Sequence, residues 1–187
     1  MGKKEKENEL SIKRREYSLR YVVLAILFWL LTITWILLIF LLSNEEGNAS
    51  DSTSKMVQSY TNNYFSLSLL SNSTVRTLAH VLEFALLTML SYFAIDFTNR
   101  ISKKTSYAES PIKILKSDNE MNIFFTLWFA MINALADEYH QLFVKDRTGS
   151  IVDVLKDMIG IILVLAIIRL VFTIYLAIRG RKEVRYG

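Results

Sequence analysis

The chain has 187 residues, is 52% hydrophobic and carries a formal charge of +4, with one proline and no cysteine. The missing cysteine excludes disulfides, thiol chemistry and Cys-ligated metal. The positive charge is not a nucleic-acid signal, because the basic residues flank long apolar stretches; they read as topology signals, and no nucleic-acid partner is expected.

Residues 1–20 form a strongly charged tail with seven lysines and arginines. Tyr21 to Leu42 then runs for 22 residues without a charge. A helix needs roughly 20 apolar residues to cross the ~30 Å hydrocarbon core. Only helices and closed barrels satisfy every backbone polar group there, and the alternation of a barrel strand is absent. The stretch exceeds the apolar core of a signal peptide and ends without small residues, so it is expected to stay as a membrane anchor over 21–42.

A Ser/Asn-rich loop follows over 43–73. Within it Met56, Tyr60, Tyr64 and Leu67 recur at helical spacing, the pattern of a short amphipathic helix. Thr74 to Phe97 reads as a second span, interrupted by His80 and Glu83. Residues 98–120 are polar and basic and read as a connecting loop. A third span is expected from Met121 to Leu135, continuing toward Phe143 through Asp137-Glu138. After a turn at 145–149, Ser150 opens the fourth span, which runs to Ile178 with Asp153 three residues on, close to a capping box. A basic tail, 179–187, ends the chain. The expectation is an all-α polytopic membrane protein with four transmembrane helices, the last three forming a core over 74–178.

Lysine and arginine set the orientation. The two tails and the 98–120 loop hold sixteen of them, and the 43–77 and 137–157 segments hold five. Basic flanks stay in the cytoplasm, which predicts both termini inside (N-in/C-in). Arg169, in the fourth span, lies near enough to the inner end to snorkel.

The ionisable residues within the spans gather at one depth. Arg76, His80 and Glu83 share a face of the second helix, and Asn133, Asp137, His140 and Gln141 a face of the third. Glu138 adjoins Asp137, Arg147 lies in the outer turn, and Asp153 and Asp157 begin the fourth helix. The candidate functional cluster is therefore Arg76, His80, Glu83, Asp137, Glu138, Gln141, Arg147, Asp153 and Asp157. Charge near hydrocarbon is costly without a partner, so these groups should face the bundle interior. A salt-bridge network that only fixes packing is the plain alternative to a pocket. His80 with Glu83 could serve as acid and base, or share a metal with carboxylates from other helices. No nucleophile, zincin or phosphate-loop motif names a catalytic residue, and no cofactor is expected.

Two stretches carry a resemblance. Arg76-Thr77-Leu78-Ala79-His80-Val81-Leu82-Glu83-Phe84 resembles the Arg-x-x-x-His-x-x-Glu-Tyr stretch of VanZ-like membrane proteins. Asp137 to Gly160 resembles their second signature, Asp-Glu-x-x-Gln-x-Phe-x-x-x-Arg-x-x-x-x-x-Asp-x-x-x-Asp-x-x-Gly. Phe84 stands where tyrosine is usual, Lys145-Asp146 replaces a frequent Pro-Gly, and Lys156 replaces an apolar residue. The resemblance implies a multi-pass protein of the bacterial plasma membrane, in a family named for an accessory protein of glycopeptide-antibiotic resistance that reduces susceptibility to teicoplanin, a lipid-tailed glycopeptide. The expected function is envelope physiology at the outer leaflet, with an amphiphile or cell-wall precursor bound at the polar cluster. The rivals are a membrane-embedded enzyme acting on a lipid-linked envelope substrate, and a structural or partner-binding subunit. The expected partners are the bilayer and that ligand. Nothing in the sequence sets the oligomeric state.

Overall fold

The computed structural model describes residues 19–44, 52, 55, 56, 59, 72–101, 111–147 and 149–186. The amphipathic pattern expected over 56–67 lies, beyond Met56 and Ser59, outside the described residues. Four long helices make up the rest: α1 (Leu19–Ser43), α2 (Asn72–Arg100), α3 (Pro111–Gln141) and α4 (Ile151–Tyr186).

The polar segment expected as a loop over 98–120 is helical at both ends, since α2 continues to Arg100 and α3 begins at Pro111. Proline suits the first position of a helix, where its missing N–H costs nothing and its fixed φ is already helical. The last helix likewise continues through the basic residues after Ile178 as far as Tyr186.

Three helices are long and apolar enough to cross a membrane: Leu19–Ser43, Thr74–Arg100 and Ile151–Ile178. The third helix, expected as a span, does not reach that apolarity. Its uncharged stretch, Met121–Ala136, is about 24 Å long at ~1.5 Å per residue. Charges at Lys116, Asp118 and Glu120 on one side and Asp137 and Glu138 on the other bound it.

The second helix is the hub. It packs against α1, α3 and α4, whereas α1 and α4 do not touch each other among the described residues. Phe84 and Leu87 of α2, Ile39 of α1, Ala130 and Ala134 of α3, and Ile161 and Leu165 of α4 form the buried core. Phe84, at the position of a usual tyrosine, is fully buried in apolar surroundings, where a phenyl ring needs no hydrogen-bond partner. The outward faces of α1 and α4 are rows of exposed Leu, Ile and Val. In a lipid-facing bundle packing comes from close fit and interhelical hydrogen bonds more than from water exclusion. Both are present. Gly160 of α4 lies against the backbone of Val81 and Ala85 in α2, close enough that a Cβ would collide with the Val81 carbonyl. Trp35 Nε1 donates to the Glu83 carbonyl at 3.0 Å and Trp29 Nε1 to Thr98 Oγ1 at 3.0 Å, fastening α1 along α2. The buried hydroxyls of Thr32, Thr88, Ser91 and Thr126 bond to carbonyls four residues earlier, so each is satisfied within its own helix.

Candidate functional site

The end of the bundle where α1 and α3 finish and α2 and α4 begin gathers most of the candidate residues. His80 contributes from α2, Asp137, Glu138 and Gln141 from α3, and Asp157 from α4. His80 Nδ1 lies 3.3 Å from Asp157 Oδ1, with the Asp157 side chain wholly buried. Glu83, Asp137, Glu138 and Asp157 lie within electrostatic reach of His80, and Glu83 and Asp137 within that of Arg147 in the turn. Asp153 acts on His80, Glu138 and Asp157. One electrostatic cluster thus spans α2, α3, the α3–α4 turn and α4. Arg76 is half-buried one turn before His80, on the same face of α2 by its spacing of four.

Gln141 ties the cluster to α1. Its Nε2 donates to Ser43 Oγ at 2.8 Å and to Asp137 Oδ2 at 2.9 Å, and the carboxamide is buried. Ser43 was not anticipated as part of this site; it is the last residue of α1, and only the packing of α1 brings it there. The α4 N-terminus differs from the expected capping box. Ser150 Oγ does accept from the Val152 N–H at 3.2 Å, but the Ser150 N–H donates to Glu138 Oε2 at 2.8 Å and not to Asp153. Asp153 instead pairs with Lys156 one turn on. Aspartate is one methylene shorter than the glutamate such a box needs, and α3 supplies the glutamate from twelve residues upstream. This pairing also explains Lys156 at a usually apolar position. Gly149 makes the approach feasible, since a Cβ there would lie 2.5 Å from the Glu138 carbonyl. Asp146 adopts φ 59°, the left-handed conformation that the frequent glycine at this position takes without strain.

Two residues expected on the polar face of α3 do not join the cluster. Asn133 Nδ2 bonds to the Phe129 carbonyl of its own helix at 2.8 Å. His140 lies edge-on to Phe40, with ring centroids 5.5 Å apart.

The cluster is rich in unused acceptors. Asp157 Oδ1 and Oδ2, Asp137 Oδ1 and Glu138 Oε1 are buried without a hydrogen bond, as is His80 Nδ1, whose approach to Asp157 lacks bonding geometry. A buried polar atom left unpaired costs about 1–3 kcal/mol, more for a charge. Such atoms are rare in folded proteins, and five in one place call for a proton, a water or a ligand. Among the described residues no group of three His, Asp or Glu side chains is disposed to hold a metal ion.

A second polar network, at the opposite end of α2 and α3, was not anticipated. Asn122, almost fully buried, donates to Asp96 Oδ1 at 3.0 Å and accepts from Asn99 Nδ2. Tyr92 donates to Asn119, and Arg100 pairs with Asp96 at 2.7 Å. A cavity of about 60 Å³ adjoins it, lined by Asp96, Asn99, Asn119, Asn122 and Phe172 among others. The signal was in the spacing: Tyr92, Asp96 and Asn99, and Asn119, Asn122 and Thr126, each fall on one helical face. Arg169, on the α4 side of this end, is highly exposed and lies 3.7 Å from Glu120.

Long helices with apolar outer faces and a polar cluster buried at one end define a helical membrane protein. The VanZ/LLP1 family model matches residues 28–172, which takes in the packed part of all four helices and both halves of the cluster, and the chain belongs to that family. No curated protein and no solved structure matches it.

Proposed function

We propose that this chain crosses the bacterial plasma membrane four times, with both termini inside, and binds an amphiphile or cell-wall precursor from the outer leaflet at the His80–Asp157 cluster. The distribution of lysine and arginine supports that orientation. The fourth crossing is α3, whose short uncharged stretch packs against α2 and α4 on one face, turns Phe124, Phe125, Trp128 and Ile132 outward on the other, and is helped by charged residues reaching the interfaces at either end. In this arrangement the cluster faces the outer leaflet, and the Asn122 network faces the cytoplasm.

The observation that carries the reading is the set of unpaired buried acceptors on α3 and α4 facing His80 of α2. The Asn122 network, by contrast, is closed by hydrogen bonds. Binding of this kind at the outer surface would change how lipid-tailed glycopeptides meet the membrane and so reduce sensitivity to teicoplanin. In a bacterial host, the wild-type chain is expected to raise the tolerated teicoplanin concentration at least fourfold, and Asp157→Asn at equal membrane abundance to abolish the gain. An unchanged response in the variant would count against the site.

The 3.3 Å approach of His80 to Asp157 favours one second reading. A histidine beside a buried carboxylate is suited to acid–base catalysis on a lipid-linked envelope substrate. Turnover of labelled envelope lipids by purified wild-type protein, lost in His80→Gln, would establish it over binding alone.

A further inference from the structure

The cavity at the Asn122 end of the bundle, about 60 Å³ in volume, is lined from α2, α3 and α4 together. Asn119 and Asn122, 5% and 1% exposed, form its buried polar wall. That wall is bonded within itself: Asn122 donates to Asp96 and accepts from Asn99, and Tyr92 donates to Asn119. Binding against side chains already held in place costs little ordering. Two exposed charges of opposite sign complete the lining, Arg100 from α2 and Asp118 from α3. Arg100 places its Nε on Asp96 at 2.7 Å, one of the five N–H donors of a guanidinium. Asp118 pairs with no lysine or arginine among the described residues.

The depth of the cavity says which molecules meet it. Asp96 lies one turn before the end of α2, and Asn122 is the second residue of the uncharged stretch of α3. Phe172, the α4 wall, lies about 9 Å before Ile178, the end of the apolar part of that helix, at ~1.5 Å per residue. All three helices place the cavity at the edge of the hydrocarbon, the level of phospholipid headgroups. Its size and charge select among them. A buried water needs roughly 10–15 Å³ of cavity, so the space takes about four to six water-sized groups. An aminoethyl phosphate end fits that space. A trimethylammonium group is bulkier and has no N–H to offer Asp118 or the Asn99 carboxamide oxygen. Asp96, Arg100 and Asp118 carry one net negative charge between them, which opposes a purely anionic headgroup.

Resting on the membrane-spanning part of the reading above and not on the His80–Asp157 site, we propose that this cavity is a second binding site, for the headgroup of an aminophospholipid. The primary ammonium bonds to Asp118, and the phosphate lies against the Arg100 guanidinium. Neither end of the zwitterion is then without a partner of opposite charge, and the Asn119–Asn122 wall supplies the polar surroundings between them.

The test uses the full chain in phosphatidylcholine nanodiscs, which expose both faces of the protein and so do not depend on its orientation. Phosphatidylethanolamine or phosphatidylglycerol is added at equal mole fraction, and retained lipid is counted by native mass spectrometry. Phosphatidylethanolamine is expected to be retained at least fivefold over phosphatidylglycerol and over the phosphatidylcholine background. Asp118→Asn and Arg100→Gln should each reduce that preference at least fivefold, and either variant that keeps the wild-type helical circular dichroism suffices. Asp118 is exposed and outside the hydrogen-bonded wall, so its substitution should leave the fold intact. Equal retention of the three lipids, a preference for phosphatidylglycerol, or a phosphatidylethanolamine preference untouched in the folded variants would each overturn the headgroup site and leave the four-span reading standing. Soluble phosphoethanolamine is the arm that separates a lipid from a free solute. Saturable binding of it to the phosphatidylcholine nanodiscs, with no retention of phosphatidylethanolamine, would overturn the lipid assignment in favour of a cytoplasmic zwitterion.

Discussion

The backbone N–H of Ser150 donates to Glu138 Oε2 at 2.8 Å, so the first turn of α4 is capped by a side chain from α3. An acceptor at a helix N-terminus satisfies a donor that the helix cannot, and its charge is favoured by the helix dipole. Glu138→Ala is expected to cost about 1–2 kcal/mol, the usual range for loss of a cap. Glu138→Gln keeps a carbonyl oxygen in place and should recover most of that. Urea unfolding in mild detergent, followed by helical circular dichroism, measures both. Equal stability of the two variants would remove Glu138 from the cap.

Gly160 faces the Val81 carbonyl with no side chain between the helices. Because the obstacle is backbone, Gly160→Ala cannot be absorbed by a rotamer change, and α2 and α4 must move apart. Overpacking of this kind costs about 1–3 kcal/mol. The move would also draw Asp157, three residues before Gly160, away from His80. Thermal unfolding of the purified variant should show the lower midpoint, and ligand binding should fall with it.

Asp146 holds a left-handed φ of 59° in the exposed turn. Aspartate tolerates that region better than most residues but still carries strain that glycine does not. Asp146→Gly is expected to stabilise the fold by up to about 0.5 kcal/mol, the relieved strain being offset in part by the greater freedom of glycine in the unfolded chain. Asp146→Val should destabilise by more than 1 kcal/mol, because a β-branched residue is excluded from that conformation. Denaturation midpoints of the pair give the order directly.

The helix count and the arrival of Asp137, Gln141 and Asp157 at the depth of His80 were legible because helical spacing assigns residues to a face and the order of the helices sets which ends meet. The partners within the cluster were not. Whether Ser150 would be capped by Asp153 or by Glu138 depends on how closely the α3–α4 turn folds back, which a close approach at Gly149 decides. Ser43 entered only through the packing of α1. The Asn122 network escaped because its residues straddle a segment that polarity marked as a loop. Asn99 and Asn119 are ordinary loop residues by composition, and only the continuation of α2 and α3 to Arg100 and Pro111 brings Asn99 to Asn122 and Asn119 to Tyr92.

The orientation rests on charge counting and has a direct test. Single cysteines can be placed anywhere in a chain that has none of its own. Ser50→Cys, in the segment after α1, and Thr105→Cys, in the segment between α2 and α3, lie on opposite sides of the membrane in the proposed topology. A maleimide reagent that does not cross the plasma membrane is expected to label the residue 50 variant in intact cells, and the residue 105 variant only after permeabilisation. The reverse pattern would invert the protein and place the Asp157 cluster in the cytoplasm, where an outer-leaflet ligand could not reach it. Labelling of both in intact cells would mean that α2 does not cross. The experiment therefore bears on the function as well as the topology, because binding from outside requires the His80–Asp157 end of the bundle to face the outer leaflet.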